Sequence, residues 1–187
     1  MGCGADDSIA GAARYENPTV SFSFEYPDSF DVREYSPSFV AIGSEEGEAF
    51  DAVVEVGVEE GEGASFQDFA IERARLACAA DGPNLSLQCT DVEMLQPVTT
   101  GEGREGISFY LKHVATRPGS GEVVATDGRG PFFAFELESR EAEGGTNSQY
   151  EMLIVRAPVV LEPDQVNAEL VRRIARSLRV SRPVEFP

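Results

Sequence analysis

With 33 acidic against 15 basic side chains and a formal charge of −18 over 187 residues, the chain repels nucleic-acid phosphates and anionic lipid surfaces, which argues against direct nucleic-acid binding. Its length suits one domain with a short tail. A domain of this size buries about 70% of the surface its unfolded chain exposes, so neither a metal nor a disulfide is needed for folding. No apolar run approaches the roughly 18 to 20 residues of a spanning helix, and the expected route to a membrane is a covalent anchor.

Met1-Gly2-Cys3-Gly4 carries that expectation. A Cys preceded by Gly and followed by small, acidic and polar residues resembles the cleaved end of a bacterial lipoprotein, with Cys3 as the lipidated residue. Myristoylation of Gly2 fits less well, because Asp6 stands where that motif wants Ser or Thr; an ordinary cytoplasmic N-terminus is the alternative. Residues 1–18 lack periodicity and read as a flexible tether ending at Asn17-Pro18. The domain is expected over 19–187.

Val20, Phe22, Phe24 and Tyr26 alternate with Ser21, Ser23 and Glu25, the pattern of a strand with one buried face. Pro27-Asp28-Ser29 ends it, and Phe30 and Val32 restart the alternation, so the two read as an opening strand pair. Phe39 to Ile42 predicts a short strand closed by Gly43 and the acidic run to Glu48. Ala52, Val54, Val56 and Val58 predict another, ended by Glu59-Glu60-Gly61-Glu62-Gly63. Ser65 is placed to cap a helix whose stripe is Phe66, Phe69, Ala70, Ala74, Ala77 and Cys78. Gly82-Pro83 stops it.

Strands follow at Val92 to Val98 and Ile107 to Thr116, where Ile107, Phe109, Leu111 and His113 share a face. The Gly- and Pro-rich residues Arg117 to Pro131 read as a loop or long hairpin connection. Phe132 to Ser139 and Tyr150 to Ala157 read as an antiparallel hairpin. Pro163 to Arg179 is the clearest helix, with Val166, Leu170, Val171, Ile174, Ala175 and Leu178 as its apolar stripe and Arg172, Arg173, Arg176 and Arg179 complementing its dipole. Strands without crossover helices indicate an antiparallel sheet with helix packed on it, an α+β domain.

The run Phe22 to Phe30, the Ser-Phe-x-x-Phe helix start at Ser65 to Phe69 and a last helix closing on Ile174-Ala175-Arg176-Ser177-Leu178 together resemble the PsbP-like superfamily. That group includes bacterial envelope lipoproteins of the LpqN and DcrB type, plant oxygen-evolving-complex extrinsic subunits and a Ran-binding nuclear import factor. The resemblance spans residues 19 to 180. It implies an α/β/α sandwich around a central antiparallel sheet, and no shared catalytic residues.

Chemistry-bearing patterns are few. Gly101-Glu102-Gly103-Arg104-Glu105-Gly106 has dinucleotide-binding spacing but is followed by a strand, so a tight turn is expected instead. His113 is the only histidine and reads as structural or superficial; a cleft placing it beside Ser108 or a carboxylate would favour a hydrolase. Glu45, Glu46 and Glu48, or Glu59, Glu60 and Glu62, offer oxygen ligands for Ca²⁺ but lack EF-hand spacing, and solvated charge is the simpler account. Cys78 and Cys89 bracket a turn at Asp81 to Asn84 and are either bridged or separate buried thiols.

These readings lead to a non-catalytic, lipid-anchored envelope protein facing outside the cytoplasm, with no cofactor, serving as an accessory or interaction module for another envelope protein. The alternative is a small-molecule or lipid carrier in which Phe109, Phe133 and Phe135 line a pocket between sheet and helix. A cytoplasmic binding role is the reading that follows if Cys3 is not acylated.

Overall fold

The computed structural model describes residues 11–46, 49–81, 85–141, 147–159, 161 and 163–181. In chain order the elements are β1 (Ala12–Glu16), β2 (Phe22–Pro27), β3 (Asp31–Ser36), β4 (Phe39–Glu46), β5 (Ala49–Gly63), α1 (Phe66–Cys78), β6 (Ala80–Asp81) and β7 (Ser86–Thr99). They continue with β8 (Glu105–Thr116), β9 (Val123–Glu141), β10 (Ser148–Arg156), a 3-10 turn at Pro163–Gln165, α2 (Ala168–Ser177) and β11 (Arg179–Val180). Among the described residues an eight-stranded sheet runs β3-β4-β5-β10-β9-β8-β7-β6, and a three-stranded sheet runs β1-β2-β11. Every pairing is antiparallel.

β9 and β10 organise the large sheet because both of their faces are buried. Residues Pro131 to Phe135 and Met152 to Val155 are continuous buried runs. Alternate side chains of a strand leave on opposite faces. Phe133, Phe135, Leu153 and Val155 therefore pack with Val40, Ile42, Val54 and Val56, under Phe22 and Phe24 of β2 and Leu170, Val171, Ile174 and Ala175 of α2. Phe132, Ala134, Met152 and Ile154 pack on the other side with Phe109 and Leu111, under the Phe69, Ala70, Ala74 and Cys78 stripe of α1. One helix lies on each face, and the small sheet shares the cover beside α2.

Each helix starts where its cap dictates. Ser65 Oγ accepts from the Asp68 N–H at 3.1 Å and donates to Asp68 Oδ2 at 2.7 Å, so α1 begins as expected. Asn167 Oδ1 accepts from the Leu170 N–H at 3.0 Å, and α2 begins at Ala168, not Pro163. At the far end of α2, Ser177 Oγ accepts from the Glu25 N–H at 2.9 Å, tying the helix to β2.

The fold is α+β and dominated by antiparallel sheet, with several departures from the expected elements. Ala12–Glu16, assigned to the tether, forms β1, because Tyr15 gives a short strand one anchor against Phe22 and Phe24. Cys3 lies outside the described residues. β2 and β3 are not a pair: they belong to different sheets, linked where the Tyr15 hydroxyl donates to Glu34 Oε1 at 2.7 Å. Burial and that bond push the Tyr15 phenol up to about 12. β4 and β5 run on through the acidic segments expected to end them, since each pairs its neighbour's backbone whatever its side chains. Val123 to Gly130, expected as loop, pairs with β8 in the same way.

A partly buried ion-pair network lies beside α1. Arg156 Nε donates to Glu55 Oε2 at 2.8 Å, Arg156 Nη1 lies 3.8 Å from Glu59 Oε1, and Arg73 Nε donates to Glu59 Oε2 at 2.7 Å. The Arg156 side chain is 12% exposed and Glu55 19%, so removing one partner strands the other away from water. Arg156→Ala is expected to cost about 3 kcal/mol in urea-denaturation stability, and an Arg156→Met/Glu55→Leu pair to restore most of that loss.

Candidate functional site

The two helices are too short to cover an eight-stranded sheet, and the consequence is visible on the α2 face. α2 packs over β9 and β10; β8 and β7 extend beyond it. Between them lies a groove of about 870 Å³. Val98 of β7, Ser108 and Tyr110 of β8, and Phe133 and Phe135 of β9 form its floor, while Arg172, Ala175 and Arg176 of α2 form its wall. Met94, on the far side, is 62% exposed and adopts a φ of 51° at a bulge where β7 slips register against β8.

One end of the groove is closed by the turn between β7 and β8. The Gly101 N–H donates to the Arg176 carbonyl at 2.7 Å, and the Thr100 N–H donates to the Arg104 carbonyl at 3.0 Å. Gly103 has a φ of 81°, the left-handed conformation that favours glycine. Gly106 is held against β9: a Cβ there would meet the Ala134 carbonyl oxygen at 2.4 Å. The Gly101-to-Gly106 pattern thus makes a tight turn entering β8. Arg179 Nε lies 3.7 Å from Glu102 Oε1 at the same end.

Of the three aromatics expected to line a pocket, Phe133 and Phe135 do so. Phe109 does not. Its register partner on β9 is Phe132, so it faces α1, stacked on that ring at 5.4 Å between centroids. Met94, Gln96, Arg172 and Arg176 were not expected here; the helical spacing of the two arginines is the sequence signal that places them on one wall.

His113 is 5% exposed on the α1 face, directly across from Cys89 on β7 and Asp127 on β9. Its Nδ1 lies 3.0 Å from Asp127 Oδ1, and Arg129 Nε lies 3.2 Å from the same oxygen. Arg129 also donates to the Leu161 carbonyl. The carboxylate is beside the imidazole, but His113 is buried and does not line the groove beside α2, and Ser108 is on the opposite face. The arrangement acts as a polar clasp between β8 and β9.

Cys78, at the end of α1, and Cys89, on β7, are joined across a Cα–Cα distance of 6.1 Å, and both are buried. The acidic runs lie largely in strands. Glu45 accepts from Arg33 at 2.9 Å, Glu59 is held by Arg73, and Glu62 accepts from Gln149 at 2.7 Å; Glu48 is outside the described residues. Among those residues no three metal-ligating side chains converge. Glu60, Glu151 and Glu138 do stand side by side across three strands.

No family model matches the chain, and no curated protein matches it. Solved structures that resemble it include the following two. The solution structure of cyanobacterial PsbP (CyanoP) from Synechocystis sp. PCC 6803 is 14% identical, with 97% of this chain and 99% of that one covered at a TM-score of 0.45. A crystal structure from Bacteroides thetaiotaomicron VPI-5482 is 11% identical, with 93% of this chain and 50% of that one covered at a TM-score of 0.34.

The glutamate row makes the sheet sensitive to pH. Burial, then the charges of Glu60 and Glu138, raise the Glu151 carboxyl above its usual 4.5. A carboxyl raised in the folded state contributes stability below the unfolded value and loses it as pH rises through the folded one. Glu151→Gln is therefore expected to raise the melting temperature at pH 7 and to give progressively less advantage as pH falls toward 4.5, read by thermal melts across that range.

Proposed function

We propose that this chain is a non-catalytic, lipid-anchored protein of the cell envelope, with a PsbP-like domain of the LpqN and DcrB type and the layered α/β/α arrangement of that group. Acylated Cys3 holds it to the membrane, and the domain serves as an accessory or interaction module for another envelope component. The family reading draws on the Phe22 to Phe30 run, the Ser65 to Phe69 helix start and the closing Ile174 to Leu178 helix. A Cys78–Cys89 bridge suits an oxidising compartment outside the cytoplasm.

The observation that carries a binding role is the groove beside α2. Its volume of about 870 Å³ falls inside the range of roughly 300 to 1,000 Å³ that ligand sites occupy, and its lining mixes apolar side chains with a larger share of polar ones. The same geometry favours a second reading, a carrier for a small molecule or lipid. Met94, Val98 and Tyr110 would be the contact surface in that case.

Intact mass and fractionation of the native gene product in its own host test the anchor. The wild-type protein is expected in the membrane fraction with added acyl mass, and Cys3→Ser in the soluble fraction without it. A soluble, unmodified wild-type product overturns the envelope assignment.

A further inference from the structure

We infer that the groove beside α2 takes a single-chain anionic amphiphile, with its aliphatic chain along Met94, Val98 and Tyr110 and its carboxylate or phosphate head at Arg172 and Arg176. The inference rests on the carrier reading and adds the class of ligand.

Charge is the first argument. The chain has only 15 basic side chains against 33 acidic ones, yet three arginines, at 172, 176 and 179, line this one groove against two carboxylates, Glu25 and Glu102. The lining itself carries one more positive than negative side chain on an acidic protein, with Glu169 paired to Arg172. Spacing is the second. Arg172 and Arg176 are four residues apart on α2, so their Cβ atoms stand about 5–6 Å from each other on one helix face, close enough for both guanidinium groups to meet one head group. Arginine forks suit both carboxylate and phosphate, with paired N–H donors.

Arg172 and Arg179 are held by exposed partners. Arg172 donates to Glu169 Oε2 at 2.5 Å, with the two side chains 45% and 53% exposed. Arg179 and Glu102 are also about half exposed. Exposed pairs of this kind contribute little, being screened by water and salt, and give way to a bidentate contact with a ligand anion. Apolar contact comes from the accessible part of the lining: Met94 is 62% exposed and Val98 and Tyr110 are half-buried, while Phe133 and Phe135 are packed into the core. A bare anion gains nothing from that contact. An uncharged alkyl chain gains nothing from the arginines.

Calorimetric titration of the full chain with sodium dodecanoate, dodecyl phosphate and dodecyl maltoside, each below micelle-forming concentration, tests the assignment. The anionic probes are expected to bind at least tenfold tighter than the maltoside, and their relative affinities identify which head group is preferred. Arg172→Gln/Arg176→Gln is expected to remove the tenfold preference while leaving maltoside binding unchanged. Ser108→Trp and, separately, Gln96→Trp fill the groove and are expected to abolish binding of all three, with unchanged circular dichroism confirming the fold. Equal affinities for all probes, indifferent to the glutamine variants, overturn the anionic assignment and leave the carrier reading standing. Absence of binding by any probe overturns both. Wild-type binding by both tryptophan variants overturns the groove as the site.

Discussion

The constraint on which the structure depends is burial of β9 and β10 on both faces. A strand apolar on alternate residues needs one covering layer, whereas Phe132 to Phe135 and Met152 to Val155 need two. α1 supplies one of them; α2, with β2 beside it, supplies the other. The cover is narrower than the sheet. Strands lie about 4.8 Å apart, so eight of them span well over 30 Å, against a helix diameter of about 10–12 Å. β2 extends the cover beside α2, packing Phe22 and Phe24 with Val40, Ile42, Val54 and Val56. The open groove is therefore a geometric remainder of the core's construction, and its floor is rigid because the same phenylalanines complete the core.

Much of the fold was legible because its local and tertiary signals agree. Ser65 caps α1 and the stripe from Phe69 to Cys78 is buried; β10 follows its predicted limits closely. Disagreement arises where backbone pairing replaces side-chain pattern. Val123 to Gly130 looks like loop because Gly and Pro dominate around it, yet each residue needs only a neighbouring ladder, which β8 provides. The acidic ends of β4 and β5 persist as strand for a similar reason: the first pairs with the start of β5 and the second with β10, each beyond the apolar core, where charge can remain hydrated. Tyr15 alone does not produce a period, so β1 is invisible until Phe22 and Phe24 are placed beneath it.

The site was half legible. Alternation assigns Phe133 and Phe135 to one face, but it cannot say which face of β8 they share, because that depends on register between strands. Phe109 pairs with Phe132, and a one-residue difference in register would have sent it into the groove. The arginines carried a separate ambiguity. At the end of an isolated helix Arg172, Arg173, Arg176 and Arg179 offset the dipole equally well. Packing separates them: α2 buries Val171, Ile174 and Ala175, which turns Arg172 and Arg176 toward the uncovered strands.

Net charge conceals this division of labour. Glu60, Glu151 and Glu138 occupy neighbouring cross-strand positions, an arrangement in which like charges repel, and Arg140 bonded to Glu138 at 2.8 Å offsets only part of it. Such a row opposes sheet pairing at one end of β5, β9 and β10, while the continuous apolar runs toward the other end of β9 and β10 hold it together. The arginine wall stands over those apolar runs and not over the glutamate row. Arg172 and Arg176 therefore stand on the apolar half of the sheet, while the carboxylates of the row occupy its other end.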